Sequence, residues 1–128
     1  MIFGIGIDLV DIQKFNKLVK AIGENFLNLI FTKNEKLRTE SKNGIKSLAG
    51  IFAAKEAIFK SLNLSKREIK DFNYFQEIEI LHLSSGKPEV KFLGSLAKKF
   101  PKKKFKVFLS ISYSSKIVAS VAIIEKNK

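Results

Sequence analysis

Residues 45–62 read Ile45-Lys-Ser-Leu-Ala-Gly-Ile-Phe-Ala-Ala-Lys-Glu-Ala-Ile-Phe-Lys-Ser-Leu62. Ile45, Leu48, Ala49, Phe52, Ala53 and then Phe59 or Leu62 recur at helical spacing, in a stretch rich in alanine and free of proline. The pattern predicts a long amphipathic helix at the centre of the fold. Toward the C-terminus the period changes to two. Phe105, Val107, Leu109, Ile111 and Tyr113 alternate, with Ser110, Ser112 and Ser114 opposite, and Ser115-Lys116 turns the chain into Ile117 to Glu125. These runs predict two adjacent antiparallel strands.

Working outward, residues 2–8 alternate around two glycines and predict a buried strand ending at Asp8. Asp11 is placed to cap a helix carrying Ile12, Phe15, Leu18, Val19 and Ile22, which Gly23 ends. Thr32-Lys-Asn-Glu35 has the spacing of a capping box, so a short helix is expected after Phe31, broken at Lys42-Asn43-Gly44. Ser65-Lys-Arg-Glu68 offers another cap. Gln76 to Leu83 alternates, Ser84-Ser-Gly-Lys-Pro88 is turn chemistry, and Glu89 to Phe92 is extended again, which predicts a β-hairpin. Residues 93–100 can form two helical turns, closed by Pro101. Strands stand first, in the middle and last, with helices between them. The expected class is α+β, a mainly antiparallel sheet packed on the central helix and shorter helices.

At 128 residues the chain is expected to be one domain, 1–128. A 45% apolar fraction with two prolines and seven glycines is that of a folded protein. The start Met-Ile-Phe-Gly-Ile-Gly-Ile-Asp has no basic leader and reaches a carboxylate at Asp8, so neither a signal peptide nor a membrane span is expected and the cytoplasm is the default. The absence of cysteine excludes disulfides, thiolate metal sites and cysteine nucleophiles. A net charge of +12, divided as +4 over residues 1–60 and +8 over 61–128, favours a polyanionic partner. Much of it lies in Lys98, Lys99, Lys102, Lys103, Lys104 and Lys106, a run that reads most simply as a solvated loop.

Asp8 stands where the first strand ends, and Glu56 and Lys60 share one face of the central helix. Taken singly, Asp8 is a turn cap and the Glu–Lys pair a surface ion pair worth about 0.3–0.5 kcal/mol. Taken together they suit a different task. Two hard carboxylates fit a magnesium ion that keeps several waters and bridges a diphosphate, while an ammonium group balances phosphate charge. No Walker loop follows Gly4-Ile-Gly6, and the one histidine, His82, is expected to be partly buried structure.

Gly4-Ile-Gly-Ile-Asp-Leu-Val-Asp11 and Leu48-Ala-Gly-Ile-Phe-Ala-Ala-Lys-Glu-Ala-Ile-Phe-Lys60, with Ser85-Gly-Lys-Pro88 and Leu109-Ser-Ile-Ser112, together resemble the holo-acyl-carrier-protein synthases, small bacterial phosphopantetheinyl transferases. The resemblance spans the chain. It implies transfer of 4′-phosphopantetheine from coenzyme A to a serine of apo-acyl carrier protein, for fatty acid biosynthesis, with adenosine 3′,5′-bisphosphate leaving. It implies a magnesium site at Asp8 and Glu56, a phosphate-neutralising Lys60, and a turn Gly86-Lys87-Pro88 along coenzyme A. It also implies a homotrimer with each site at a subunit boundary, and docking of the acidic carrier on the first helix, through Lys14, Lys17 and Lys20. The serine proton can go to Glu56 or to a metal-bound water.

Two positions depart from the family pattern. Ile51 replaces a usual arginine and Tyr113 a usual histidine, so both remove a cation that could meet coenzyme A. Tyr113 is either a pocket residue or a tyrosine packed at the sheet end. A nucleic-acid module, with Phe100, Phe105 and Phe108 as stacking surfaces, would leave Asp8, Glu56 and Lys60 without a role. Neither a nucleic acid nor a membrane is expected as a partner.

Overall fold

Strand β1 (Ile2–Asp11) opens the fold and continues three residues beyond the expected end at Asp8, because the alternation persists through Leu9 and Val10. The computed structural model describes residues 1–37, 44–70, 73–82 and 84–128. Asp11 closes the strand and caps α1 (Ile12–Ile22), its carboxylate accepting from the Lys14 amide at 2.9 Å. Gly23, at φ 77°, ends α1 as expected. The chain then re-enters a helix at once, α2 (Glu24–Ile30), which the sequence reading missed by treating the glycine as a stop. The Thr32–Glu35 capping box forms in both directions and starts α3 (Lys33–Leu37). Lys42 and Asn43 of the expected break lie outside the described residues.

The central helix is α4 (Gly44–Ser61). Short α5 (Lys66–Ile69) begins at the Ser65 capping box, and α6 (Tyr74–Glu77) takes up residues expected to begin a strand. The hairpin is β2 (Ile78–His82) with β3 (Pro88–Phe92); Leu83 lies outside the described residues. After α7 (Gly94–Lys99) come β4 (Phe105–Tyr113) and β5 (Ile117–Lys126), antiparallel neighbours as predicted.

The class is α+β, but the strands form two sheets. One has the order β1-β5-β4, and the other is the β2-β3 hairpin. Helix α4 lies against the inner face of the larger sheet, where a Cβ on Gly4 or Gly6 would collide with the carbonyl oxygens of Ser61 and Ala57. Glycine is therefore required at both positions for the helix backbone to reach the strand. Fully buried Ala53, Ala57 and Ile58 of α4, with Leu62 just after it, join Val118, Ala122 and Ile124 of β5 in the core. A side chain such as Ile58 contributes about 1.5–3 kcal/mol when withdrawn from water.

The first strand is buried on one side only. Ile5, Ile7 and Leu9 are 62–66% exposed on its outer face, so the expectation of a buried strand is corrected. His82 is exposed, not partly buried, at the end of β2. Phe100 and Phe105 interlock edge-to-face with Phe3 and are core rather than stacking surfaces, whereas Phe108 is 43% exposed under the Lys106 ammonium. No helix among the described residues is long and apolar enough to cross a membrane.

Candidate active site

The two glycines that admit α4 to β1 also decide what happens two residues further along the strand. Asp8 follows Gly4 and Gly6 on the inner face, opposite Ser120 of β5, and so points at the same helix. There Lys60 Nζ donates to Asp8 Oδ1 at 3.2 Å and to the Ile7 carbonyl at 3.0 Å. Glu56, one helical turn before Lys60, lines a cleft with Asp8. Asp8 and Lys60 are 52 positions apart in the chain and meet because strand and helix touch.

The cleft, about 500 Å³, is completed by Leu9, Val10, Phe52 and, from α1, Lys14, Phe15 and Leu18. Its titratable lining is Asp8, Asp11, Lys14 and Glu56. Partial burial pushes the Glu56 carboxyl above the ordinary carboxylate range; the Tyr74 hydrogen bond opposes this, Asp8 adds to it and Lys60 again opposes it. The Tyr74 hydroxyl donates to Glu56 Oε1 at 3.0 Å, and burial followed by the Glu56 charge pushes that phenol well above its usual range. Among the described residues no cluster of three or more His, Cys, Asp or Glu side chains forms a complete metal cage. Two carboxylates on facing elements suit a small hard cation that takes its other ligands from water and a bound diphosphate.

Asp8, Glu56 and Lys60 thus come together as the sequence reading required. Lys14, Lys17 and Lys20 are exposed along α1, with Lys14 at the rim of the cleft. Gly86, at φ 86°, and Lys87 lie in the β2–β3 turn, Pro88 opens β3, and none of the three lines the cleft. Tyr113 does not line it either. Its ring rests where a Cβ of Gly50 would stand, with Lys46 Nζ 5.6 Å from the ring centroid, and burial raises its phenol pKa. Ile51 is 2% exposed and belongs to the core.

Two side-chain contacts next to the site are not legible in the sequence. Tyr74 meets Glu56 across 18 positions, in a stretch where the reading saw a strand about to begin. Lys55 has no distinguishing mark in the helix pattern, yet it is fully buried and ion-paired to equally buried Glu35 at 2.6 Å. It also donates to the carbonyls of Ile30 at 2.8 Å and Phe75 at 2.5 Å.

A family model described as the 4′-phosphopantetheinyl transferase superfamily matches residues 4–120. The chain belongs to this superfamily. A holo-[acyl-carrier-protein] synthase of Clostridium botulinum (strain Eklund 17B / Type B) is 38% identical over 129 residues, covering 98% of each chain. Among solved structures, the holo-[acyl-carrier-protein] synthase of Neisseria meningitidis superposes with a TM-score of 0.86 at 33% identity, covering 98% of this chain and 100% of that one. The Bacillus anthracis str. Ames synthase, in complex with CoA (3′,5′-ADP), superposes at 0.79 with 27% identity and 99% coverage of both. The family that the motifs resemble is the family to which the chain belongs.

Proposed function

We propose that this chain transfers 4′-phosphopantetheine from coenzyme A to a serine of an apo-acyl carrier protein, releasing adenosine 3′,5′-bisphosphate, for fatty acid biosynthesis. The observation that carries the reading is the meeting of Asp8 and Glu56 at one cleft, with Lys60 hydrogen-bonded to Asp8, in a chain whose close relatives bear that activity in their names. Residues 1–128 act as one cytoplasmic domain.

In the reaction the serine oxygen attacks the β-phosphorus of coenzyme A, a new P–O bond forms, the bond to the bisphosphate oxygen breaks, and the serine proton passes to Glu56 or to a water at the site. Asp8 and Glu56 would hold magnesium, which when bound supplies positive charge to the diphosphate. Lys60, 51% exposed at its side chain, can leave Asp8 for a phosphate oxygen and offset the charge that grows on the leaving group. A phosphate leaving group needs little help from an acid.

Lys14, Lys17 and Lys20 form the docking face for the acidic carrier, beside the cleft, with half-exposed Leu18 and Ile22 as its apolar complement. Gly86, Lys87, Pro88 and Tyr113 lie off the cleft of their own chain, so a role along coenzyme A requires a neighbouring copy or a ligand extending beyond the cleft. The homotrimer of this proposal would cover the apolar face of Ile5, Ile7 and Leu9.

The test is direct. Purified protein, coenzyme A, magnesium and apo-acyl carrier protein are incubated, and the carrier is followed by mass. A gain of one phosphopantetheine that requires magnesium supports the proposal, and an unmodified carrier overturns it. Light scattering at working concentration tests the assembly, and a monomeric mass rejects the homotrimer.

A further inference from the structure

Tyr74 has no part in the mechanism above, yet its side chain is fixed on several sides. Its ring is stacked on Phe59 with centroids 4.0 Å apart and lies against Phe75 at 4.2 Å. The segment that carries it is tied down by Lys55, donating to the Phe75 carbonyl. Gln76 also holds it, donating to the carbonyls of Asn28 at 2.8 Å and Phe31 at 3.0 Å. The hydroxyl that donates to Glu56 Oε1 is therefore placed before any ligand arrives.

Asp8 is treated in the same way, since Lys60 engages its Oδ1. Each carboxylate has one oxygen already accepting a hydrogen bond, which makes that oxygen a poorer metal donor. The size of the cation decides whether this matters. Magnesium takes single oxygens at short distance in a strict octahedron and keeps waters, whereas calcium is larger and readily binds both oxygens of a carboxylate in irregular geometry.

We infer that Tyr74 is a positioning residue that restricts Glu56 to ligation through one oxygen and thereby makes the site discriminate against calcium. The inference rests on the metal reading of Asp8 and Glu56. Tyr74→Phe removes the hydroxyl and keeps both ring contacts, and a thermal melt checks that the fold is intact.

The experiment measures manganese bound to the protein in the presence of coenzyme A by electron paramagnetic resonance, then its displacement by magnesium or by calcium. In Tyr74→Phe the ratio of calcium to magnesium affinity should rise by up to about tenfold, the lower end of the range by which losing a partner that orients a metal ligand changes affinity for a metal. Calcium should then inhibit magnesium-supported transfer at correspondingly lower concentration. An unchanged ratio, or equal weakening of both ions, overturns the role of Tyr74. Asp8→Asn serves as the control: if it leaves manganese binding intact, the metal reading itself fails and the inference falls with it.

Discussion

Lys60 Nζ stands 3.2 Å from Asp8 Oδ1, so the ammonium proposed to serve the substrate phosphate rests on a proposed metal ligand before substrate arrives. The two roles compete for one oxygen. Lys60→Ala should therefore lower the rate of carrier modification by about 10²–10³-fold, the scale for losing one transition-state donor, while leaving metal affinity of the substrate-free protein equal or higher. Manganese titration of the free protein beside a transfer assay separates these effects. A parallel loss of both would place Lys60 in metal binding instead.

Asp8→Asn and Glu56→Gln should each nearly abolish transfer in folded protein, because each removes a charge from a hard cation site. Circular dichroism and the carrier mass assay, run on the same samples, read the two properties together. Near wild-type rates at limiting magnesium would reject the assignment.

Burial raises the Glu56 pKa above the ordinary glutamate value, so the folded protein binds this proton more tightly than the unfolded chain does. The resulting stability is fully present below about pH 4.5 and is lost as pH rises through the folded value. In metal-free buffer at neutral pH, Glu56→Gln should accordingly melt higher than wild type, and the gap should close toward pH 4. Saturating magnesium should narrow the neutral gap by favouring the charged carboxylate. A pH-independent difference would assign the effect to packing.

Charge reversal at Lys14, Lys17 and Lys20 should raise the Michaelis constant for the carrier far more than that for coenzyme A. The wild-type carrier constant should also rise with salt, because exposed charges are screened over about 8 Å at physiological ionic strength. Initial rates across both substrates at two salt concentrations supply the comparison. An unchanged carrier constant in the triple variant would move docking to another face.

Gly6→Ala puts a methyl group into the Ala57 carbonyl, which is backbone and cannot rotate away. The expected cost is about 1–3 kcal/mol of stability, measured by urea denaturation, together with a fall in transfer as α4 is pushed from Asp8. Full stability in this variant would contradict the strand–helix contact described above.

Much of this was legible because it depends on local pattern. Asp11, Thr32 and Ser65 announced their helices through caps, and β4 and β5 through alternation, since neither signal needs distant residues. Asp8, Glu56 and Lys60 were legible through their joint occurrence in recognisable motifs. Tyr74 was not, because its meaning lies in a contact with a helix 18 positions earlier. The exposed side of β1 escaped for a related reason: Ile5, Ile7 and Leu9 look buried in sequence, whether water or another surface covers them. The placement of Tyr113 against Gly50 likewise depends on how two elements cross.

The period-two geometry of β1 sets a limit on length variation. Gly4, Gly6 and Asp8 turn inward, while Ile5, Ile7 and Leu9 turn outward. Deleting or inserting a single residue between Gly4 and Asp8 exchanges the two sets beyond that point. An isoleucine or leucine would then face Lys60, and a carboxylate would be carried to the greasy side. Few other changes of one residue would damage two unrelated surfaces at once. Across homologous chains this short interval should keep constant length even where its side chains drift.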